Sequence, residues 1–404
     1  MRLLHTSDWH LGQKFLYFDR EQEHEAALQW LLRTIDEESV ELLIVAGDIF
    51  DIGNPPNYAR RQYYRFLAGL IGSSCRHIVL IGGNHDSPSM LDAPKELLAA
   101  LNVQVVGSAP EDLTREVIEL RSPQGDLEAV VAAVPFLRDR DLRPAQIGES
   151  GLERIDRIRE GIRQHYERVG ERVEPYRKDQ VPLIATGHLY ATGAEASGKQ
   201  DDIYIGNVEN IAADQFPAVF DYVALGHIHR AQAVGGLDHI RYCGSLIPLS
   251  FSETKDDKSV TLVDFKGSRL GEVRHLPVPL FRRLKTIEGE LPEVQDRLAK
   301  LGADYSEGLP PWVEVIVHSD AILPNLDEEL HEFTAEMNLQ LLKIKTNQAF
   351  LALDEQMEAV DLQELTPEEV FVKRCETAGR PPEQLEELVA TFRELQSWMN
   401  EREE

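Results

Sequence analysis

Leu42-Leu43-Ile44-Val45-Ala46-Gly47-Asp48-Ile49-Phe50-Asp51 is the stretch that decides the fold. An apolar run of strand length stops at Gly-Asp, and a second carboxylate follows three residues later. A short continuous apolar run bounded by glycine reads as a strand buried on both faces of a parallel sheet. Ligands of open α/β sheets bind outside the carboxyl ends of such strands, where Asp48 emerges. One polar residue after a buried strand is commonly only a loop, so the weight comes from recurrence. Residues 3–5 lead to Asp8 and His10, and residues 77–81 to Gly83-Asn84-His85-Asp86. Residues 182–186 lead to Gly187-His188, and residues 222–225 to Gly226-His227-Ile228-His229.

Helical periodicity fills the gaps. Ala27, Leu28, Leu31, Leu32 and Ile35 predict a helix over 23–39, and Tyr63, Phe66, Leu67, Leu70 and Ile71 one over 58–71. Strand and helix alternating at short spacing indicate βαβ units and a parallel sheet. Strands are expected at 103–106 and 129–134. Ile155, Ile158, Ile162, Tyr166, Val169 and Val173 predict a helix over 152–173, its arginines forming a solvated face. Residues 240–243 and 260–265 read as strands closing the sheet system.

Pro277-Val278-Pro279 marks a domain boundary. Beyond it, a helix over 292–301, alternating Val313, Val315 and Val317, a helix over 326–337 and a strand over 339–345 describe a small α+β domain. After about residue 353 the chain turns acidic and helical, with a capping box at Thr366-Pro367-Glu368-Glu369 and a stop at Gly379. Leu385, Leu388, Val389, Phe392, Leu395 and Met399 form one apolar stripe. The expected organisation is 1–278, 279–350 and 351–404.

The 404 residues suffice for two or three domains with a large core. The first residues become polar too quickly for a signal peptide, and no apolar stretch is long enough to span a bilayer. Cys75, Cys243 and Cys375 lack CxxC spacing and read as buried thiols of a reducing, cytosolic compartment. A net charge of -28 argues against nucleic acid, whose partners use basic surfaces. That charge is unevenly placed: residues 351–404 hold 15 acids and 5 bases, and an acidic site collecting divalent cations contributes as well.

The strand ends carry the chemistry. Residues two apart in a strand share a side, which lets Asp8 and His10 face one ion, and likewise His227 and His229. Asp, Asn and His suit a divalent ion of intermediate hardness, since an all-oxygen set indicates Mg²⁺ or Ca²⁺ and thiolates indicate zinc. Asp8, His10, Asp48, Asn84, His188, His227 and His229 are seven candidate ligands, too many for one ion. Two ions roughly 3.5–4 Å apart, bridged by a carboxylate, use them all and suit hydrolysis of phosphate esters. Asp51 and Asp86 read as orienting or capping residues.

These motifs (D-x-H, G-D-x-x-D, G-N-H-[DE], G-H and G-H-x-H) resemble those of the calcineurin-like metallophosphoesterase superfamily. Longer stretches are similar to its bacterial branch of double-strand-break nuclease subunits: His5 to Gly12, Asp202-Ile203-Tyr204-Ile205-Gly206, Ala224 to Arg230, and Tyr242-Cys243-Gly244-Ser245. The resemblance is dense to about Phe251 and looser but collinear beyond. It implies an αββα sandwich with a small α+β DNA-capping domain and C-terminal helices. It also implies two Mn²⁺, one on Asp8, His10, Asp48 and His229 and one on Asp48, Asn84, His188 and His227, with Mg²⁺ or other divalent ions as substitutes. His85 is then no ligand but a group placed to approach the scissile phosphate and stabilise or protonate the leaving oxygen. Water activated by the two ions attacks in line, without a covalent nucleophile.

The implied activity is 3′–5′ double-strand exonuclease and single-strand or hairpin endonuclease cleavage of DNA in repair, recombination and replication. A coiled-coil ATPase is the implied partner, in a heterotetramer containing a homodimer of the nuclease, at the bacterial nucleoid. The basic entry Phe281-Arg282-Arg283-Leu284-Lys285 is either a DNA contact or a solvated strand edge. The stripe from Leu385 to Met399 either binds the ATPase or packs back on this chain. A phosphoprotein phosphatase or cyclic-nucleotide phosphodiesterase on the same core is the alternative, weakened because Ile52-Gly53 replaces the arginine expected after Asp51 in such phosphatases. A non-catalytic scaffold fits less well with all seven ligands in place.

Overall fold

The computed structural model describes residues 1–142, 151–192, 210–304, 308–319, 323, 325–347, 389 and 392. Leu42–Ala46 is a strand with every residue buried. Its neighbours on both sides are parallel to it, Leu3 pairing with Leu42 and Leu43 with Ile78. Alternation divides these side chains between two cores. Leu43, Val45, Ile78 and Leu80 pack with Leu28, Leu31, Phe66 and Leu67 of the helices Glu21–Glu37 and Asn57–Gly69. Leu42, Ile44, Val79 and Ile81 point the other way and meet Ala129, Val131, Ile184 and Ala224 of a second sheet.

The first sheet runs, in spatial order, Arg269–Pro277, Ser259–Lys266, Arg2–Thr6, Leu42–Ala46, His77–Ile81 and Val103–Val106. The second runs Gln232–Val234, Leu237–Tyr242, Tyr222–Gly226, Leu183–His188, Leu127–Ala132 and Val117–Arg121. Its outer face carries the helix Gly151–Val173, whose Ile158, Ile162, Tyr166 and Val169 pack on Val130, Leu183 and Val223. The order of layers is helix, sheet, sheet, helix, the αββα sandwich expected. Val117–Arg121 and Gln232–Val234 have no counterpart among the strands expected from the sequence. Both are antiparallel edge strands, short and partly exposed, so neither shows a continuous apolar run.

His5 stitches the sheets together below one rim. Its Nδ1 lies 3.0 Å from the Tyr222 hydroxyl and its Nε2 3.2 Å from the Leu225 carbonyl. Burial drives its pKa down to about 3, so the ring remains a neutral structural link.

The segment Pro277–Pro279 joins the first sheet to a three-stranded sheet of Arg282–Gly289, Leu309–His318 and Gln340–Asn347. The helices Leu291–Asp304 and Leu326–Thr334 cover one face through Val294, Leu298 and Leu330 against Val313, Val315 and Val317. Trp312 and Leu284 pack with Phe15 in a cluster that Phe251 joins. Arg282 is buried, donating from Nε to Glu23 Oε1 at 2.7 Å and from Nη1 to the Pro310 carbonyl at 2.6 Å. Arg20 holds the other oxygen of Glu23, with Nε 2.9 Å from Oε2. Arg282 therefore belongs to an internal ion triad, while Arg283 and Lys285 face outward.

Met1–His318 with Leu323–Thr346 forms one compact unit. The second unit, Ser319–Ile322 with Asn347–Glu404, lies almost entirely outside the described residues. The expected helices after 353, most of the stripe from Leu385 to Met399, Cys375 and the motif at 202–206 fall there or in other residues not described. Cys75 and Cys243 are free and buried. Among the described residues no helix is long and apolar enough to cross a membrane.

Candidate metal centre

The strand Arg2–Thr6 ends before Asp8, and Tyr222–Gly226 ends before His227. Strand alternation is therefore not what aims Asp8 with His10, or His227 with His229, and that expectation is corrected. Asp8, His10, Asp48 and His227 have φ of 52°, 48°, 48° and 101°, a region that non-glycine residues use sparingly. Four of the nine such residues among those described are candidate ligands, so backbone strain concentrates at this rim. Main-chain bonds hold the kinks: the Asp8 N–H donates to the Gly47 carbonyl and the His10 N–H to the Asp48 carbonyl, both at 3.0 Å. Gly83 and Gly226 serve close approach. A Cβ on Gly83 would collide with the Asp48 carboxylate and amide, and one on Gly226 with the Ala46 carbonyl.

The two sheets deliver their residues to one point. Ligand atoms of Asp8, His10 and His229 lie within 4.8 Å of one another, as do those of Asp8, Asp48 and His188. Asp48 Oδ2 is 3.5 Å from His10 Nε2 and 3.2 Å from His188 Nε2. Asn84 Oδ1 is 3.0 Å from His188 Nε2 and 3.1 Å from His227 Nδ1. The Asp8 carboxylate of the first sheet accepts the His227 N–H of the second at 3.0 Å. Ring centroids pair His10 with His229 at 5.2 Å and His188 with His227 at 5.1 Å. All seven residues singled out from the sequence meet here.

The donor set fits divalent cations. Nε2 of His10 is fully buried without a hydrogen-bond partner, a costly state unless something else uses its lone pair. Nitrogen and oxygen donors without thiolate suit ions of intermediate hardness. Burial opposes charge on His10, yet the hydrogen bond to Asp51 and the nearby Asp48 and Asp8 carboxylates push its pKa up to about 9. His188 also rises to about 9, burial being overcome by Asp48. Burial works on Asp48 in the opposite sense, but His188 and His10 hold it well below the usual carboxylate range. Protons on these imidazoles and a divalent cation are alternative ways to balance the carboxylates.

Neighbouring groups orient the cluster. His10 donates from Nδ1 to Asp51 Oδ1 at 3.0 Å. Asp86 accepts backbone N–H groups of Ile49, Phe50 and Gly83 at 3.1, 2.9 and 2.9 Å, stapling two ligand loops. Burial and the adjacent Asp48 raise its pKa to about 6. The exposed His85 sends its main-chain N–H to Asp48 Oδ1 at 3.0 Å and its Nδ1–H to the Asp51 carbonyl at 2.7 Å. His10, Asp51 and His85 also satisfy ligand spacing.

Three further residues reach the site without having been singled out. Glu253 Oε1 lies 3.2 Å from His229 Nδ1. Lys258 bonds both Glu253 and the His229 carbonyl, at 2.7 and 2.9 Å. Arg138 approaches the Asp86 carbonyl at 3.4 Å and stacks over Phe136, whose ring is 6.3 Å from His188. Glu253 and Lys258 sit in a polar turn indistinguishable in sequence from a solvated loop. Arg138 had a readable signal, since Val134-Pro135-Phe136-Leu137-Arg138 follows another buried strand.

The family model described as calcineurin-like phosphoesterase matches residues 1–231, and one described as type 5 capsule protein repressor C-terminal domain matches residues 280–378. The chain belongs to the calcineurin-like phosphoesterases. Within them it is similar to proteins named as the SbcD component of the nuclease SbcCD. It is 40% identical over 385 residues to that of Escherichia coli (strain K12), covering 93% of this chain and 92% of the relative. Identity is 36% to that of Rhodobacter capsulatus, over 92% of this chain and 93% of the relative. For Bacillus subtilis it is 30%, with both chains fully covered. A solved structure described as a dimetal phosphatase from Danio rerio matches at TM-score 0.38 and 13% identity, over 69% of this chain and 98% of that one.

Proposed function

We propose that this chain is a metal-dependent DNA nuclease, the nuclease subunit of an SbcCD-type complex with an SbcC-type coiled-coil ATPase. One observation carries the reading: the donors of both sheets converge at one rim in a chain 40% identical, over 93% of its length, to a nuclease subunit. Two Mn²⁺ ions are the proposed pair. Asp8, His10, Asp48 and His229 would hold one, and Asp48, Asn84, His188 and His227 the other. When bound, two such ions lower the pKa of water and neutralise the non-bridging oxygens of a phosphodiester.

The remaining work falls to the chain. Asn84 and His85 are exposed beside buried ligands, which marks the side from which a substrate arrives. Because Nδ1 of His85 is committed to the Asp51 carbonyl, Nε2 is the nitrogen left to approach the phosphate, where a doubly protonated ring would stabilise or protonate the leaving oxygen. Asp51 thus places two rings at once, His10 through its carboxylate and His85 through its carbonyl. The domain from residue 279 to 350 is proposed to position DNA, with Arg283 and Lys285 on its outer side. The acidic segment 351–404 is proposed to bind the ATPase. The setting in this reading is the bacterial cytoplasm, the nuclease acting as a homodimer within a heterotetramer.

Cleavage of end-labelled linear and hairpin DNA with Mn²⁺, measured beside phosphopeptide hydrolysis, tests the reading. Nucleolytic cleavage with little phosphopeptide turnover is expected. Robust phosphopeptide turnover with intact DNA would overturn it in favour of a phosphatase.

A further inference from the structure

The Nδ1 atoms of three clustered histidines have different anchors. His10 uses the Asp51 carboxylate and His188 the Ala46 carbonyl. His229 uses Glu253, from a one-turn helix, Phe251–Lys255, well beyond the last strand-end motif. Glu253 is 2% exposed, so its ion pair is shielded from solvent screening. Its Oε2 accepts Lys258 Nζ at 2.7 Å and the Leu249 N–H at 3.1 Å. Lys258 Nζ then donates to the His229 carbonyl at 2.9 Å. The circuit closes on one residue: ring to carboxylate, carboxylate to ammonium, ammonium to the main chain that carries the ring. The turn itself is buttressed, because Phe251 packs edge-on to Phe15 at 5.0 Å, and Phe15 lies 5.6 Å from Trp312 of the small sheet.

We propose that Glu253 and Lys258 are positioning residues that present His229 to one of two divalent ions, an inference resting on the two-metal reading above. An anionic acceptor at Nδ1 keeps the proton there and leaves the lone pair on Nε2. Such a partner also raises the basicity of the ligating nitrogen and fixes the plane of the ring. Lys258 prevents the carboxylate from swinging away and holds the backbone under the ring. A salt bridge that merely stabilised the loop would have no preference between the two ions. A device acting through His229 must act on the ion bound with Asp8 and His10 and spare the one bound with Asn84, His188 and His227.

Calorimetric titration of Mn²⁺ into the full-length chain separates these cases, with circular dichroism checking that each variant is folded. The unchanged chain is expected to take two ions. Glu253→Ala should keep one at its original affinity and bind the other about 10- to 100-fold more weakly. Glu253→Gln retains an acceptor for the Nδ1–H but loses the charge facing Lys258, so it should weaken the same ion by a smaller factor. Unchanged binding of both ions, or equal weakening of both, in folded Glu253→Ala overturns the proposal. If that variant does not fold, Glu253→Gln decides alone: weakening of one ion supports the proposal, and two unchanged ions overturn it. Fewer than two ions in the unchanged chain would instead sink the two-metal reading, and the proposal with it.

Discussion

Asp48 faces His10 on one side and His188 on the other, which makes it the most informative candidate ligand to change. Asp48→Asn is expected to weaken both Mn²⁺ ions in calorimetry, whereas His10→Ala or His188→Ala should first weaken one. His85→Gln should abolish DNA cleavage and leave two ions bound. Loss of an ion in that variant would make His85 a ligand, as its spacing to His10 and Asp51 allows. The raised pKa values of His10 and His188 set a pH dependence. Both are about 9 against an ordinary 6.5. Their charged forms therefore stabilise the metal-free fold fully below about 6.5, an effect lost as pH rises through about 9. Metal affinity has the opposite sign, because an ion must displace those protons. Affinity should climb between neutral pH and about 9, and titrations in buffers of differing ionisation heat should show about two protons released per chain near neutrality. An affinity independent of pH over that range would contradict the protonated assignment. At this scale the candidate ligands were legible in the sequence because each follows a buried strand. Glu253 was not, because its role depends on a turn brought to His229 by folding.

Between elements, contact depends on missing side chains and on paired charges. Gly226→Ala pushes a methyl group into the Ala46 carbonyl, and Gly83→Ala pushes one into Asp48. Each should destabilise the chain by about 1–3 kcal/mol, the usual range for overpacking, and should lower Mn²⁺ stoichiometry before the fold is lost. Denaturation in urea with a parallel metal titration measures both. The triad of Arg20, Glu23 and Arg282 fastens the small sheet to the sandwich. Glu23→Ala leaves two buried guanidinium groups without their carboxylate and should lose about 3–5 kcal/mol in the same assay. The central strands and the long helices were readable from periodicity, whereas antiparallel edge strands such as Val117–Arg121 and Gln232–Val234 were not. The αL kinks at Asp8, His10 and Asp48 were not, because they answer to bonds from neighbouring loops.

Across the molecule, negative charge is densest in residues 351–404, although residues 1–350 still carry 18 of the 28 net negative charges. Residues 351–404 hold 15 acids and 5 bases, a tail whose charge would repel DNA and whose sequence suits a protein partner. Truncation before about Leu365 is expected to spare Mn²⁺-dependent cleavage and eliminate association with the ATPase, as measured by co-purification. Unchanged complex formation by the truncated chain would place that surface elsewhere. The sandwich is what makes one site from distant segments: Asp8 and His227 are 219 positions apart, yet they share a hydrogen bond.

The sequence by itself determined which residues could bind metal and that an alternating α/β core would carry them, because strand burial and ligand chemistry are local properties. Tertiary structure decided the rest. Stacking the two sheets joined candidate ligands from separate parallel sets, left-handed kinks aimed them, and Glu253 was brought to His229. It also turned Arg282 inward to Glu23, away from the outer face on which Arg283 and Lys285 lie. Those outcomes depend on contacts between segments far apart in the chain, which no periodicity records.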